Sequence, residues 1–420
     1  MNVPRLGFVA PLALVPLLSA CGNGDDYAAP PAHDAGTAVE AASPAESGAP
    51  AVEDAGEDAP TSLNGLPTAN GFQGVWGTSD SDVWAVGDMG TIVHFDGTTW
   101  TLVPSGVTDN LTGIMGIGPD DVFVTGDQGN LLHWDGHTWS IASAVQDTAL
   151  LGLWVFSSTN VWAVGVDFDT DPGSSAYVRV YQGTSSTDND VNGAISLWKV
   201  WGASPTDVWL AGTSAAPLGG DSGADPAGVI YRGSSDFEPV AYEGESVHGI
   251  WGSGANDVWV APSIGGLQHW TGAAFDTNAV QIAMSQGFHA VSGTLDVDGA
   301  TKSAPVPAGD ASVADAAGAS DAGEDDGGPQ PADAGADGAA PAADASLADA
   351  GPGASDVWAV GNDGLIAHFA HGAWTVTPSN TTETLFGIWA PSSTSAWAVG
   401  AGATIRHWNG AAWSPSPTAP

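Results

Sequence analysis

A 27-residue phrase recurs along this chain and limits what it can fold into. It runs from Gly74 to Trp100 as GVWGTSDSDVWAVGDMGTIVHFDGTTW. It returns from Gly113 as GIMGIGPDDVFVTGDQGNLLHWDGHTW and from Gly387 as GIWAPSSTSAWAVGAGATIRHWNGAAW, with weaker copies between. Two landmarks mark each copy, one in a G-[IVL]-W-G phrase and one in a D-V-W-A-V-G phrase. The pairs are Trp76 and Trp84, Met115 and Phe123, Trp154 and Trp162, Trp201 and Trp209, Trp251 and Trp259, Ser292 and Trp358, and Trp389 and Trp397. The offset within a pair is 8 residues except in the sixth, where it is 66, so that copy carries an insertion of 58 residues, Leu295 to Pro352. Without it, successive first landmarks lie 39, 39, 47, 50, 41 and 39 residues apart, which makes seven copies. A fixed period of this size means one supersecondary unit stacked on itself.

Each copy reads as four short strands. In the first these are Gly74–Gly77, Val83–Gly87, Thr91–Phe95 and Trp100–Val103, separated by the turn formers SDSD, DMG and DGTT. Strand two, VWAV, is apolar at consecutive positions, which fits a strand covered on both faces. Strand four alternates more and ends in Pro and Gly, as an outer edge does. No copy has a 3.6-residue apolar period, which excludes a helical solenoid. The pattern predicts an all-β chain, a seven-bladed β-propeller of four-stranded blades, with a disordered N-terminal tether and a disordered insertion in blade six.

The flanking segments define the remaining boundaries. Residues 1–21 begin with one cation, Arg5, pass through an apolar run from Leu6 to Leu18 and close on Leu18-Ser19-Ala20-Cys21. That is the layout of a secretory signal, and the run is too short to span a bilayer. Residues 22–66 are mostly Ala, Pro, Gly, Asp and Glu, with Tyr27 as the only aromatic. Such a stretch cannot offset its ordering entropy and reads as a flexible tether, with a mean reach of roughly 35–40 Å. Blades one to five and the start of blade six occupy 67–294, the acidic low-complexity insertion 295–352, and the rest 353–420. A disordered excursion of that length costs little because loop-closure entropy grows only logarithmically. The single Cys excludes intrachain disulfides and multi-Cys metal cages. The formal charge of −42, with six Lys and Arg, disfavours nucleic acid as a partner.

The DGTTW and DGHTW turns, Asp96–Trp100 and Asp135–Trp139, resemble the Asp-box hairpin of BNR-type propellers. The whole copy is similar to the WGxSxxDVWAVGxxGTIxHWDGxxW repeats of bacterial surface propellers. Copies three to five depart from it, with YQGTSS, YRGSSDF and WTGAAF in place of the turn. The LSAC ending resembles the lipobox of bacterial lipoproteins. That resemblance implies diacylation of Cys21 and an exported, lipid-anchored protein of the bacterial cell envelope, at the outer membrane or cell surface rather than the inner membrane. The alternatives are a plain signal peptide cut near Ala20, or a free buried Cys.

Sialidases share the Asp-box turn, but their arginine triad cannot be carried over onto Arg179, Arg232 and Arg406, which sit at or just after the third strands of three copies. A glycosidase needs two facing carboxylates, and no pair is distinguished here. His94, His133, His269, His368 and His407 share one position in strand three. They make either a metal ring or a repeated structural hydrogen bond, and their distance from the axis favours the second. Trp76, Trp84, Trp154, Trp162, Trp201, Trp209, Trp251, Trp259, Trp358, Trp389 and Trp397 are read as blade-to-blade packing positions. Copy three also holds DFDTDPG and DNDVNG, in which Asp167, Asp169, Asp171, Asp188, Asp190 and Asn192 are candidate ligands for calcium. Alternating carboxylates before a Gly turn can present several oxygens to a hard cation, although Lys199 stands where an EF-hand loop would carry its Glu. The alternative is a pair of solvated acidic loops.

The sequence thus predicts a lipid-anchored binding or interaction module, a monomer, taking a protein or glycan through the enlarged loops of blades three and four. A polysaccharide-active hydrolase or lyase on the same scaffold is the alternative, and a purely structural envelope protein the third reading.

Overall fold

Each copy of the repeat folds into one antiparallel sheet, and in six of the seven the strands follow chain order. The computed structural model describes residues 70–168, 175–217, 226–276, 287–297, 300–302 and 354–416. Cys21, the 22–66 tether, Asp169, Asp171 and most of the insertion lie outside the described residues.

Blade one comprises β1 (Phe72–Ser79), β2 (Asp82–Gly87), β3 (Thr91–Phe95) and β4 (Trp100–Leu102), and blade two comprises β5 (Leu111–Gly118), β6 (Asp121–Gly126), β7 (Asn130–Trp134) and β8 (Trp139–Ala144). Blade three holds β9 (Thr148–Ser157), β10 (Asn160–Asp167), β11 (Ser175–Tyr181) and β12 (Ser186–Val191). Blade four holds β13 (Ala194–Ser204), β14 (Asp207–Pro217), β15 (Pro226–Gly233) and β16 (Glu238–Pro239). Blade five holds β17 (Val247–Gly254), β18 (Asp257–Pro262), β19 (Gln268–Trp270) and β20 (Phe275–Asp276). Blade six adds a fifth strand, with β21 (Phe288–Val297), β22 (Ala300–Lys302), β23 (Ala354–Gly361), β24 (Ile366–Ala370) and β25 (Ala373–Val376). Blade seven is β26 (Leu385–Ser392), β27 (Ser395–Gly400), β28 (Thr404–Trp408) and β29 (Trp413–Pro415).

The first strands pack against one another in succession, and β26 returns to β1, so the seven sheets close a ring. This is a seven-bladed β-propeller. The second strands are buried along nearly their whole length, as the consecutive apolar residues of VWAV require. The outer strands β4 and β29 bury only their leading Trp. One departure from expectation lies in blade six. The first residues of the insertion, Leu295 to Val297, prolong β21, and β22 pairs back on it with Leu295 opposite Lys302. The local sequence LDV-DG-ATK carries an Asp-Gly hairpin signal that the surrounding Ala- and Asp-rich composition obscures.

Two sets of aromatic contacts lock the blades. A Cβ on Gly77, Gly116, Gly252 or Gly293 would lie 2.5–3.0 Å from the indole of Trp389, Trp76, Trp201 or Trp251, each on the preceding blade. Carbon atoms pack no closer than about 3.5 Å, so the glycine that follows the first landmark is the seat of the preceding blade's Trp. Where the landmark is Met115, the seat is Val155, whose N–H faces the Met115 sulfur at 3.4 Å. At the third junction the Phe156 ring faces Gly202.

The second set lies further out. Each second landmark packs on an aromatic residue from strand three, strand four or the turn between them in the following blade, and this holds at all seven junctions. Trp84 meets Trp134 and Trp139, Phe123 meets Tyr181, Trp162 meets Phe237 and Trp209 meets Trp270. Trp259 meets Phe369 and Trp374, Trp358 meets Trp408 and Trp413, and Trp397 meets Phe95 and Trp100. Centroid separations run from 5.2 to 6.1 Å, the range of favourable tilted and edge contacts. Blade seven supplies its four strands from its own copy, so closure uses no exchanged strand. Instead Asp80 of blade one accepts from Ser395 Oγ and, at 3.4 Å, from Trp397 Nε1. Trp100 Nε1 donates to Ser416 Oγ at 2.8 Å.

The glycine seats give a direct test. Gly116→Ala forces its methyl into Trp76, and overpacking of this kind costs on the order of 1–3 kcal/mol. Gly118→Ala, two residues on with nothing within 4 Å of the added carbon, is expected to change stability by less than about 0.5 kcal/mol. Urea denaturation of the two variants distinguishes them, and equal midpoints would contradict the lock.

Candidate functional site at the channel mouth

The first strands enclose a central channel of about 430 Å³. Their shared register stacks equivalent residues into layers, one from each blade. One layer is aliphatic in every blade: Val75, Ile114, Leu153, Val200, Ile250, Val291 and Ile388 keep 4–8 % exposure. The adjoining layer is Gly74, Gly113, Gly152, Lys199, Gly249, Ala290 and Gly387. Six positions carry at most a methyl group, and the seventh carries a lysine.

The next layer, at the mouth, is Gln73, Thr112, Leu151, Trp198, His248, His289 and Phe386. Rings from four consecutive blades touch in series there. Trp198 lies 4.8 Å from His248, His248 stacks on His289 at 5.8 Å, and His289 meets Phe386 at 5.4 Å. Trp198 Nε1 donates to Thr213 Oγ1 at 2.9 Å, and His289 Nε2 donates to Asn362 Oδ1 at 2.7 Å. Asn362 belongs to the connection from strand two to strand three, so the mouth opens on the face that carries those connections.

Lys199 Nζ reaches the carbonyl of Leu151 at 3.4 Å, its one hydrogen bond among the described residues. Burial pushes the ammonium down to about 8. Burial, together with the His289 and Lys199 charges, pushes His248 down to about 3, and burial also lowers His289. At neutral pH the mouth therefore holds two neutral imidazoles beside one cation that has no carboxylate partner among the described residues. Sequence reasoning missed this cluster. The available signal was the register itself, since Lys199 interrupts a column of Gly and Ala.

The five strand-three histidines serve the blades. His94, His133, His269 and His368 donate through Nε2 to Asp82, Asp121, Asp257 and Asp356 at 2.5–2.7 Å. Each also stacks on the second landmark of its own blade, at 3.5 to 4.4 Å. Burial opposes ionisation of Asp82, but hydrogen bonds from His94 and Thr78 outweigh it and hold the carboxyl below its usual range. In blade four Arg232 takes the histidine position, bonded to Asp207 through Nε and Nη2 and lying 4.8 Å over Trp209. In blade seven the acid is replaced by Ser395, which lies 3.2 Å from His407 Nε2, and Asp80 supplies the carboxylate from blade one. The trio looks like a hydrolytic triad in composition only. The carboxylate binds the serine instead of the far side of the imidazole, and Ser395 is buried. The Asp-box turns are self-capped, with Asp96 Oδ1 accepting from the Thr98 and Thr99 amides and Asp135 Oδ1 from those of His137 and Thr138.

The acidic candidates of copy three divide. Asp167 ends β10 opposite Ser175, and Asn192 follows β12 at the same rim, its carbonyl accepting from Tyr231 at 2.8 Å. Asp188 sits opposite Arg179, four residues further along β11, about 13 Å away at the strand rise. Its two oxygens accept Arg179 Nε and Nη2 at 2.8 Å each, and this pairing holds the carboxyl below its usual range. Asp190 also belongs to β12. DNDVNG is thus largely strand, not loop, because the Arg179 pair and the β11 ladder draw it into the sheet. Arg179 Nη1 continues to Ser143 Oγ at 2.8 Å and clamps blade three to blade two. Among the described residues no group of three or more His, Cys, Asp or Glu is placed to hold a metal.

No protein-family model and no curated protein matches the chain. Among solved structures, the chain is similar to the WD40 β-propeller domain of Doa1, at 9% identity and a TM-score of 0.52, covering 82% of this chain and 93% of that one. A structure described as YCF48 bound to D1 peptide matches at 12% identity and a TM-score of 0.50, with 82% and 93% covered. Both likenesses concern the propeller fold.

The desolvated ammonium makes a pH-dependent prediction. Because folding lowers the Lys199 pKa from 10.5 to about 8, the unfolded chain binds the extra proton between those values, and stability rises with pH across that window. Below pH 8 the penalty is fully present. Lys199→Met removes it and is expected to stabilise the protein by on the order of 2 kcal/mol at pH 7, with the gain shrinking towards pH 10. Denaturant midpoints at the two pH values check this.

Proposed function

We propose that the chain is an interaction module that docks a protein ligand on the face where the strand two to strand three connections emerge, held to the bacterial envelope through a lipid on Cys21. The observation that carries the docking face is where apolar side chains are exposed. Met89, Phe168 and Ile264 are 69, 57 and 43 % exposed and all lie on these connections, around the channel mouth. Exposed apolar groups gathered on one face of a propeller fit a protein-binding surface. The other large exposed apolar residues, Leu102, Ile141 and Val376, are scattered on outer strands.

Blades three and four extend that face furthest. The second strands β2, β6, β18 and β27 have 6 residues, and the 8 of β23 add length at its other end, whereas β10 has 8 and β14 has 11, with β14 still paired to β15 at Pro217 and Pro226. These longer hairpins support the enlarged loops of copies three and four as the main contact, and the peptide in the YCF48 structure illustrates what a propeller can take.

Photo-crosslinkable residues placed at 89, 168 and 264, and in parallel at 102, 141 and 376, test the face in living cells. Discrete protein adducts are expected from the first set and none from the second. Equal yields from both sets, or no adduct from the first, would overturn the reading. Radioactive palmitate incorporated by the native chain and lost in Cys21→Ala tests the anchor.

A further inference from the structure

We propose that the mouth of the central channel is a binding site for a single carboxylate attached to an apolar body, with Lys199 as its counter-charge. The ring symmetry makes the lysine conspicuous. At its level the other blades carry Gly or Ala, so the ammonium is the sole charged group that layer contributes to the lumen. Its one protein contact is a long hydrogen bond to a carbonyl. A cation held in a desolvated channel with no paired acid among the described residues is unfavourable, and an anion from solution would relieve it.

The surroundings select the ligand. Phe386 lines the channel at the mouth, His289, His248 and Trp198 continue from it ring against ring as an aromatic arc on one side, and the aliphatic ring lies two layers further in. His248 makes no hydrogen bond among the described residues, and its neutral imidazole retains an N–H that can donate to a carboxylate. A molecule with one charged end and an apolar remainder uses all three features. Polyanions are disfavoured, since a single cation in a chain of formal charge −42 cannot balance several negative charges. The carboxylate could belong to a free organic acid or to the C-terminus of a peptide, and the recognition chemistry is the same. The site does not depend on docking at the outer connections.

Calorimetry on the full-length protein with defined probes tests the assignment. Hexanoate is expected to bind at least tenfold more tightly than hexanol, and Lys199→Met is expected to lose that preference while keeping its circular dichroism and a melting temperature no lower than the native value. Hexanoate affinity should fall as pH rises from 7 to 9. His248 and His289, which face Lys199, remain neutral throughout, so the change reports the lysine. A short apolar peptide with a free C-terminus, compared with its amide, separates the two sources. Discrimination between them assigns a chain terminus, and binding of hexanoate alone assigns a small acid. No heat from either hexanoate or the free peptide, or equal hexanoate binding by Lys199→Met, would overturn the proposal. Because the probes are small molecules and short peptides, that failure would leave the crosslinking result at the outer face intact.

Discussion

The contact on which the molecule depends is an indole seated on a backbone with no side chain. At four of the seven junctions the first-landmark Trp needs the glycine of the following copy, so those blades are incomplete without their neighbours. A single four-stranded sheet of this sequence would leave both apolar faces in water. Closing the ring turns every such face into an interface, and the outer ring of paired aromatics repeats the arrangement at larger radius. The matched departures, Met115 with Val155 and Phe156 with Gly202, show that the pair is the unit under constraint.

Most of this architecture was legible because the repeat states it seven times. The spacing of Trp76 and Trp84 reappears as direct pairing across the β1–β2 ladder, and four of the five strand-three histidines make a repeated hydrogen bond to an acid of their own blade. What the repeat conceals is anything that occurs once. Lys199 reads in sequence as one residue before a strand core, and only its position among six Gly or Ala equivalents gives it meaning. DNDVNG suggested a loop because its composition is loop-like, yet Arg179, nine residues away, holds Asp188 in a strand. The hairpin at Leu295 was hidden for the opposite reason, as a short strand signal embedded in low-complexity sequence.

The two functional readings use different parts of one face. The outer connections offer apolar tips whose exposure contrasts with the buried blades beneath them. The channel offers a small, open-mouthed volume with one charge. The scaffold is indifferent to both, because the locking contacts lie between the blades and the distinctive residues lie at their ends. Sequence change at the mouth or on the connections can therefore alter recognition without disturbing the ring.

The closure between blades seven and one has a kinetic consequence. Trp100 and Ser416 are 316 positions apart, and Asp80 and Ser395 are 315. The first blade to leave the ribosome must wait for the last before its outer indole is covered. Until then the partial ring is an open arc with unmatched aromatic faces at both ends, a species prone to self-association. Contacts this remote in sequence make folding slow. Every interruption of synthesis upstream of blade seven leaves those two faces without each other, so the joint that completes the ring also reports that all seven blades have been made.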